Sequence, residues 1–153
     1  MDYKRYLEVL TSKPLPKDLA FSEAEYRGRV DTVMRAMSER GLDALLVTDV
    51  SNICYLSGYD TFVPDLFACL VLTTDARPTL QIAEFEIPAA LLYSWVKDLR
   101  PTRFNSADAI ARELSGILSE RKFDGKRIGI ETRLFGLNVS IYESLRSACP
   151  NAS

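Results

Sequence analysis

The chain alternates helix-spaced and strand-length apolar segments. Tyr26, Val30, Val33, Met34 and Met37 recur at helical spacing, with Arg27, Arg29, Asp31 and Arg35 on the other side. Ser22 followed by Glu25 makes a capping box, Phe21 with Tyr26 supplies a hydrophobic staple, and Gly41 supplies a left-handed stop. Within Leu42–Val50, the run Ala44-Leu45-Leu46-Val47 is too continuous for a half-exposed strand and predicts a buried central one. Asp49–Asp60, containing Asn52 and Gly58, reads as a connecting segment. Phe67–Thr73 and Leu80–Phe85 are two further strands. The turn between them, centred on Thr74-Asp75-Ala76-Arg77-Pro78, is too short for a crossover, so they should pair antiparallel.

Glu86–Trp95 then reads as a helix and Val96–Arg100 as a short strand. Ser106 caps a helix carrying Ile110, Leu114, Ile117 and Leu118. Asp124-Gly125-Lys126 makes a turn, Arg127–Glu131 a strand, and Asn138–Ala148 a last helix with Ile141, Tyr142 and Leu145 inward. Helices interleaved with four or five strands predict an α/β/α layered domain. Ala44–Val47 should lie beside Phe67–Thr73, with Arg127–Glu131 towards the other edge. Residues 1–20 stand apart: Tyr3–Leu10 reads as a short helix, broken by Lys13-Pro14-Leu15-Pro16-Lys17 into an extended arm. The domain proper spans 21–153.

Composition narrows the chemistry. The 153 residues are 47% hydrophobic and 26% charged, which suits one globular domain with its own core. The net charge of −2 supplies no basic excess, so no nucleic acid partner is expected. There is no histidine, which excludes a Ser-His-Asp triad, a Cys-His pair and any His-ligated metal within this chain. Cys54, Cys69 and Cys149 show no C-x-x-C spacing and read as free thiols, the first two in apolar surroundings. Asp43, Asp49, Asp60, Asp65 and Asp75 are candidates to meet at one end of a sheet, although acidic residues at strand ends are more often turn formers than ligands. No glycine-rich phosphate loop is present. The N-terminus lacks a signal-like apolar stretch, and the longest apolar run, Leu66–Leu72, is too short to span a bilayer. A cytoplasmic protein with no membrane partner is expected.

One set of blocks is more specific. Phe21, Ser22, Glu25, Tyr26 and Arg29 form F-S-x-x-E-Y-x-x-R, Met37–Leu46 reads M-x-x-x-G-L-D-A-L-L, and Asn52–Tyr59 reads N-I-x-Y-L-S-G-Y. Trp95 follows, then I-G-I-E at Ile128–Glu131 and a Tyr142…Leu145…Pro150-x-Ala152 ending. In this order and spacing, over roughly 21–152, the chain resembles the N-terminal domain of the creatinase / Xaa-Pro dipeptidase (aminopeptidase P, pita-bread) metallohydrolases. The resemblance implies a three-layer α/β/α fold around a mixed, mostly parallel five-stranded sheet with a ribonuclease H-like motif.

It also implies a division of labour. In that family catalysis belongs to a following pita-bread domain, whose two divalent metals (Mn, Co or Zn) are held by Asp, Asp, His, Glu and Glu. None of that domain lies in this chain, so no catalytic or metal-binding residue and no cofactor is expected here. The chain looks like a truncated N-terminal domain of a metal-dependent C–N hydrolase. Its expected partners are its own C-terminal catalytic domain and a second subunit of a homodimer, and its expected role is in dimerisation and the active-site mouth. The loop Tyr59–Asp65 is the candidate for substrate contact, with Tyr59, Asp60, Thr61 and Phe62 as the substrate-proximal residues; the competing reading is a solvated loop with Phe62 tucked into the core. Creatinase uses an aromatic and an arginine in this stretch, and these fall on Pro64 and Leu66, which supply neither group. Glu131, ending a strand, reads as a structural hydrogen-bonder. The alternative is a stand-alone α/β module that binds a small molecule or protein without enzyme activity.

Overall fold

A computed structural model describes residues 5, 8, 9, 12, 16–74, 77–102, 106–123, 125–132 and 137–153. The expected helix over Tyr3–Leu10, the break around Pro14 and the Asp124 corner lie largely outside the described residues. The end of the arm is described and is tied down: the Asp18 amide donates to the Leu92 carbonyl at 2.9 Å, and Lys17 Nζ to the Ser94 carbonyl at 2.6 Å.

Helix α1, Glu23–Glu39, starts and stops as its sequence predicts. The Ser22 hydroxyl accepts from the Glu25 amide, the Phe21 ring stands edge-on to Tyr26 at 5.9 Å, and Gly41 takes φ +63°. Strand β1, Ala44–Val47, follows.

The segment after it differs from the expected connection: Val50–Ser57 is a helix, α2. The Asp49 carboxylate caps it by accepting from the Ser51 and Asn52 amides, and Gly58 ends it at φ +77°. Its inward residues, Ile53 and Leu56, are buried, so tertiary packing stabilises a segment too short to be helical alone.

Strands β2, Cys69–Thr73, and β3, Thr79–Ala83, form the expected antiparallel hairpin. A 3₁₀ turn over Glu84–Glu86 leads into α3, Ile87–Tyr93; β4, Asp98–Thr102, then pairs parallel with β3. Helix α4, Ala107–Glu120, is capped by Ser106, and α5, Val139–Ala148, by Asn138; β5 between them covers Ile128–Ile130.

The sheet order is β4-β3-β2-β1-β5. Strand β1 lies beside β2 as expected, and β5 is an edge strand on the far side of β1. The sheet is mixed and mostly parallel, as the resemblance implies: β1, β3, β4 and β5 run one way and β2 runs against them. β1–β5 and β3–β4 are parallel while β1–β2 and β2–β3 are antiparallel, because a hairpin sits at the centre.

Two cores lie on the two faces. Leu70, Leu72, Leu80 and Ile82 pack with α1, α2 and α3, while Leu46, Cys69 and Val71 pack with α4 and α5. Successive strand residues alternate between these cores, which makes three layers.

Candidate functional site

The registers put the carboxyl ends of β1, β3, β4 and β5 at one end of the sheet, where antiparallel β2 begins. Open α/β sheets place ligands outside the carboxyl ends of their strands. The candidate loop leaves this end. It starts at Gly58, where a side chain has no room: a Cβ would lie 2.6 Å from the Tyr93 carbonyl oxygen and 3.0 Å from the Tyr26 hydroxyl.

Tyr59, one of the four substrate-proximal candidates, is only 2% exposed. Its amide donates to Ser57 Oγ at 3.1 Å and its hydroxyl to Glu86 Oε2 at 2.8 Å. Burial, together with the Glu86 carboxyl at its hydroxyl, pushes the Tyr59 phenol well above its ordinary range, so it stays a neutral donor. The turn into the sheet through left-handed Gly58 aims the ring inward. Glu86 is itself buried, and its Oε1 has no hydrogen-bond partner among the described residues.

The rest of the loop faces outward. Asp60 is exposed and accepts from the Thr61 amide at 2.9 Å; Thr61 Oγ1 accepts from the Val63 amide at 3.0 Å; the Leu66 amide reaches the Val63 carbonyl at 3.0 Å. Phe62 is 80% exposed, not tucked into the core. The loop is thus pinned by Tyr59 at its start and carries one large apolar side chain into solvent. Asp60, Thr61 and Phe62 stay together on it, whereas Tyr59 belongs to its foundation.

Beside the loop, sequence blocks that lie far apart in the chain meet. Glu131 Oε2 accepts from the amides of Thr48 and Asp49, each at 2.9 Å, and Oε1 accepts from Asn52 Nδ2. The Thr48 hydroxyl returns a bond to the Glu131 carbonyl at 3.0 Å. Glu131 is therefore the structural hydrogen-bonder expected, joining the I-G-I-E block to the start of the N-I-x-Y-L-S-G-Y block.

The acidic residues do not converge. Asp43 precedes β1 at the opposite end and accepts from the Arg127 amide, Asp49 caps α2, and Asp75 lies outside the described residues. Among the described residues no three His, Cys, Asp or Glu side chains gather as a metal site, so these residues do not fit the metal pair the family implies. Sequence reasoning missed Glu86, for which a carboxylate directly after an expected buried strand was the available signal; it placed Asn52 in the N-I-x-Y-L-S-G-Y block without foreseeing its bond to Glu131.

A mixed five-stranded sheet between two helical layers, with an aromatic-bearing loop at its carboxyl end, defines a three-layer α/β domain. The chain belongs to the creatinase/prolidase N-terminal domain family, whose profile matches residues 29–153. It is 26% identical over 144 residues to an ectoine hydrolase of Halomonas elongata, covering 88% of this chain and 35% of that protein. The chain therefore spans about a third of the length of the curated relatives it matches.

Among solved structures, the N-terminal domain of a metallopeptidase from Corynebacterium diphtheriae superposes with a TM-score of 0.64 at 25% identity, covering 83% of this chain and 91% of that one. The N-terminal domain of a cytoplasmic peptidase from Mycobacterium tuberculosis gives 0.62 at 23% identity, covering 82% and 88%. This last likeness concerns the fold. Among the described residues no helix is long and apolar enough to cross a membrane.

Proposed function

We propose that this domain is the non-catalytic N-terminal part of a metal-dependent C–N hydrolase, an Xaa-Pro peptidase or a related amide hydrolase acting in the cytoplasm. Its 59–65 loop forms one wall of the active-site mouth and works across a homodimer, while the divalent metals sit in the catalytic part. The observation that carries this reading is Phe62. A pinned loop at the carboxyl end of the sheet holds an aromatic side chain 80% exposed, an arrangement that suits contact with a surface outside this domain. The family match and the ectoine hydrolase relative support hydrolysis as the chemistry of the whole protein.

The test uses a full-length protein carrying this domain. Phe62→Ala and Asp60→Ala should each change kcat/KM across a panel of Xaa-Pro dipeptides and small amides while leaving metal content unchanged. In mixed dimers the effect should appear when the variant loop and the intact metal site lie on different subunits. Unchanged kinetics across the whole panel would remove the loop from the site.

A further inference from the structure

Arg29 closes the F-S-x-x-E-Y-x-x-R block, and the other large residues of that block gather on its guanidinium. The Phe21 ring lies 4.3 Å from it and the Tyr26 ring 5.2 Å, while Nε donates to Glu25 Oε1 at 3.1 Å. A third ring comes from the N-I-x-Y-L-S-G-Y block: Tyr55, at 4.4 Å. Phe21 and Tyr55 are themselves 52% and 56% exposed, yet the Arg29 side chain against them is only 11% exposed. Ring faces attract a guanidinium held over them, and a planar cation suits several rings at once. Nη1 is then left to donate to the Tyr55 carbonyl at 2.9 Å.

That carbonyl is one of the last four of α2, which no residue within the helix can satisfy. All four have partners. The Cys54 carbonyl accepts from the Gly58 amide at 2.8 Å, Tyr55 from Arg29, and Leu56 from Trp95 Nε1 at 2.9 Å. The Ser57 carbonyl accepts from the Ser94 hydroxyl at 2.9 Å and the Trp95 amide at 3.2 Å. Only the first of these partners is local; α1 and the segment after α3 supply the others. Directly beyond this end comes Gly58, where a Cβ would stand 3.0 Å from the hydroxyl of Tyr26, the same ring that faces Arg29. Arg29 thus joins the first sequence block to the end of α2, as Glu131 joins the I-G-I-E block to its start.

We propose that Arg29 is a positioning residue: its guanidinium fixes the carboxyl end of α2, and through it the direction in which the loop from Tyr59 to Asp65 leaves the domain and presents Phe62. The inference rests on the reading of that loop as a wall of the active-site mouth. An eight-residue helix does not hold its last turn unaided, so a loop that starts there inherits its direction from whatever caps the turn. Arg29 itself touches no substrate; it acts through α2.

The test uses a full-length protein carrying this domain, with Arg29→Lys, Arg29→Gln and Phe62→Ala made in parallel. Lysine keeps the charge and glutamine keeps a planar donor group, whereas the site uses both at once. In both Arg29 variants hydrogen exchange at the Gly58 and Tyr59 amides should speed up about tenfold or more, while amides in the middle of α4 keep their rates. A general loss of stability would speed both sets alike. Across a panel of Xaa-Pro dipeptides and small amides, KM should rise about threefold or more with kcat within about twofold. Unchanged exchange at Gly58 and Tyr59, or a change shared equally by α4, overturns the proposal. So does faster exchange without a change in KM where Phe62→Ala does change it, an outcome that leaves the loop in the active-site mouth. If Phe62→Ala moves nothing either, the reading of the loop falls and the role of Arg29 falls with it.

Discussion

The two ends of the sheet are held by different chemistry. At the hairpin end, carboxylates meet guanidinium groups. Arg100 pairs with Asp98 and Glu120, each at 2.8 Å, and Arg121 reaches Thr73 Oγ1, Thr79 Oγ1 and the Arg77 carbonyl at 2.6–2.7 Å, with Asp98 at 3.5 Å. At the carboxyl end, Glu131 and Glu86 form no ion pair among the described residues. Their partners are backbone amides, an Asn amide and a Tyr hydroxyl. The first arrangement is a partly exposed electrostatic clamp, open to screening by salt and acid. The second depends on oriented neutral dipoles, which fix direction as well as distance. It is built where a loop has to be aimed.

The largest effect should come from the glycine that starts that loop. Gly58→Ala adds left-handed strain to a clash with the Tyr93 carbonyl and should cost roughly 2–4 kcal/mol in urea unfolding. Gly125, at the other end, has φ +71° but open space around its Cβ position. Gly125→Ala should cost only the backbone part, about 1–2 kcal/mol. Equal losses would show that steric crowding at Gly58 contributes nothing.

Next is Glu131→Ala, which strands the Thr48 and Asp49 amides and the Asn52 side chain. A loss of about 2–3 kcal/mol is expected. Because its partners are neutral, the loss should be nearly the same in low salt and in 1 M NaCl, where the screening length is about 3 Å. A loss that shrinks strongly in salt would make the carboxyl end another ion-pair clamp and erase the contrast.

The hairpin end should instead respond to acid. Burial raises the Asp98 pKa, but hydrogen bonds from Arg100 and Thr79 and the nearby Arg121 charge outweigh it and hold the carboxyl below its ordinary value of 3.8. A folded-state pKa below the unfolded one adds stability that is complete above the unfolded value. That stability is lost as pH falls through the folded value. Stability from Asp98 should therefore be intact above about pH 4 and decline below it. Asp98→Asn should flatten that acid limb and lower stability modestly at pH 7, since Asp98 and Arg100 are both partly exposed. An unchanged acid limb in the variant would remove Asp98 from the clamp.

These differences also explain what was legible in sequence. Helix α1 and the β2–β3 hairpin rest on neighbours in the chain, the Ser22 cap and a short turn, so local reading finds them. Helix α2 does not. Only eight residues long, with Asn52, Cys54 and Ser57 among them, it has weak propensity and draws stability from Glu131, 79 residues away from Asn52. The direction of the sheet was legible for the opposite reason: helix–strand alternation suggests crossovers and a mostly parallel sheet, and one short turn marks β2 as the strand that runs against the other four. In the candidate loop, Phe62 is exposed, as contact outside the domain requires, whereas Tyr59 is buried. An aromatic after Gly58 points wherever its partner lies, and that partner, Glu86, stands 27 residues further on with no local mark tying it to Tyr59.

That split within one loop supplies the smallest and most discriminating prediction. Tyr59→Phe keeps the ring in the core but removes the hydroxyl, leaving neither Glu86 oxygen a hydrogen-bond partner among the described residues, where Oε1 already has none. A destabilisation of about 1–2 kcal/mol is expected. Phe62→Ala removes a side chain that is 80% exposed and should change the domain's stability by no more than about 0.5 kcal/mol. Urea unfolding of the isolated domain measures both. The comparison has force because two aromatic residues on one loop, three positions apart, would then differ in opposite senses. One would matter to the fold and the other only to what the loop touches. If Phe62→Ala proved as costly as Tyr59→Phe, Phe62 would be packing against the domain itself, and the loop would have no side chain left to present to a catalytic neighbour.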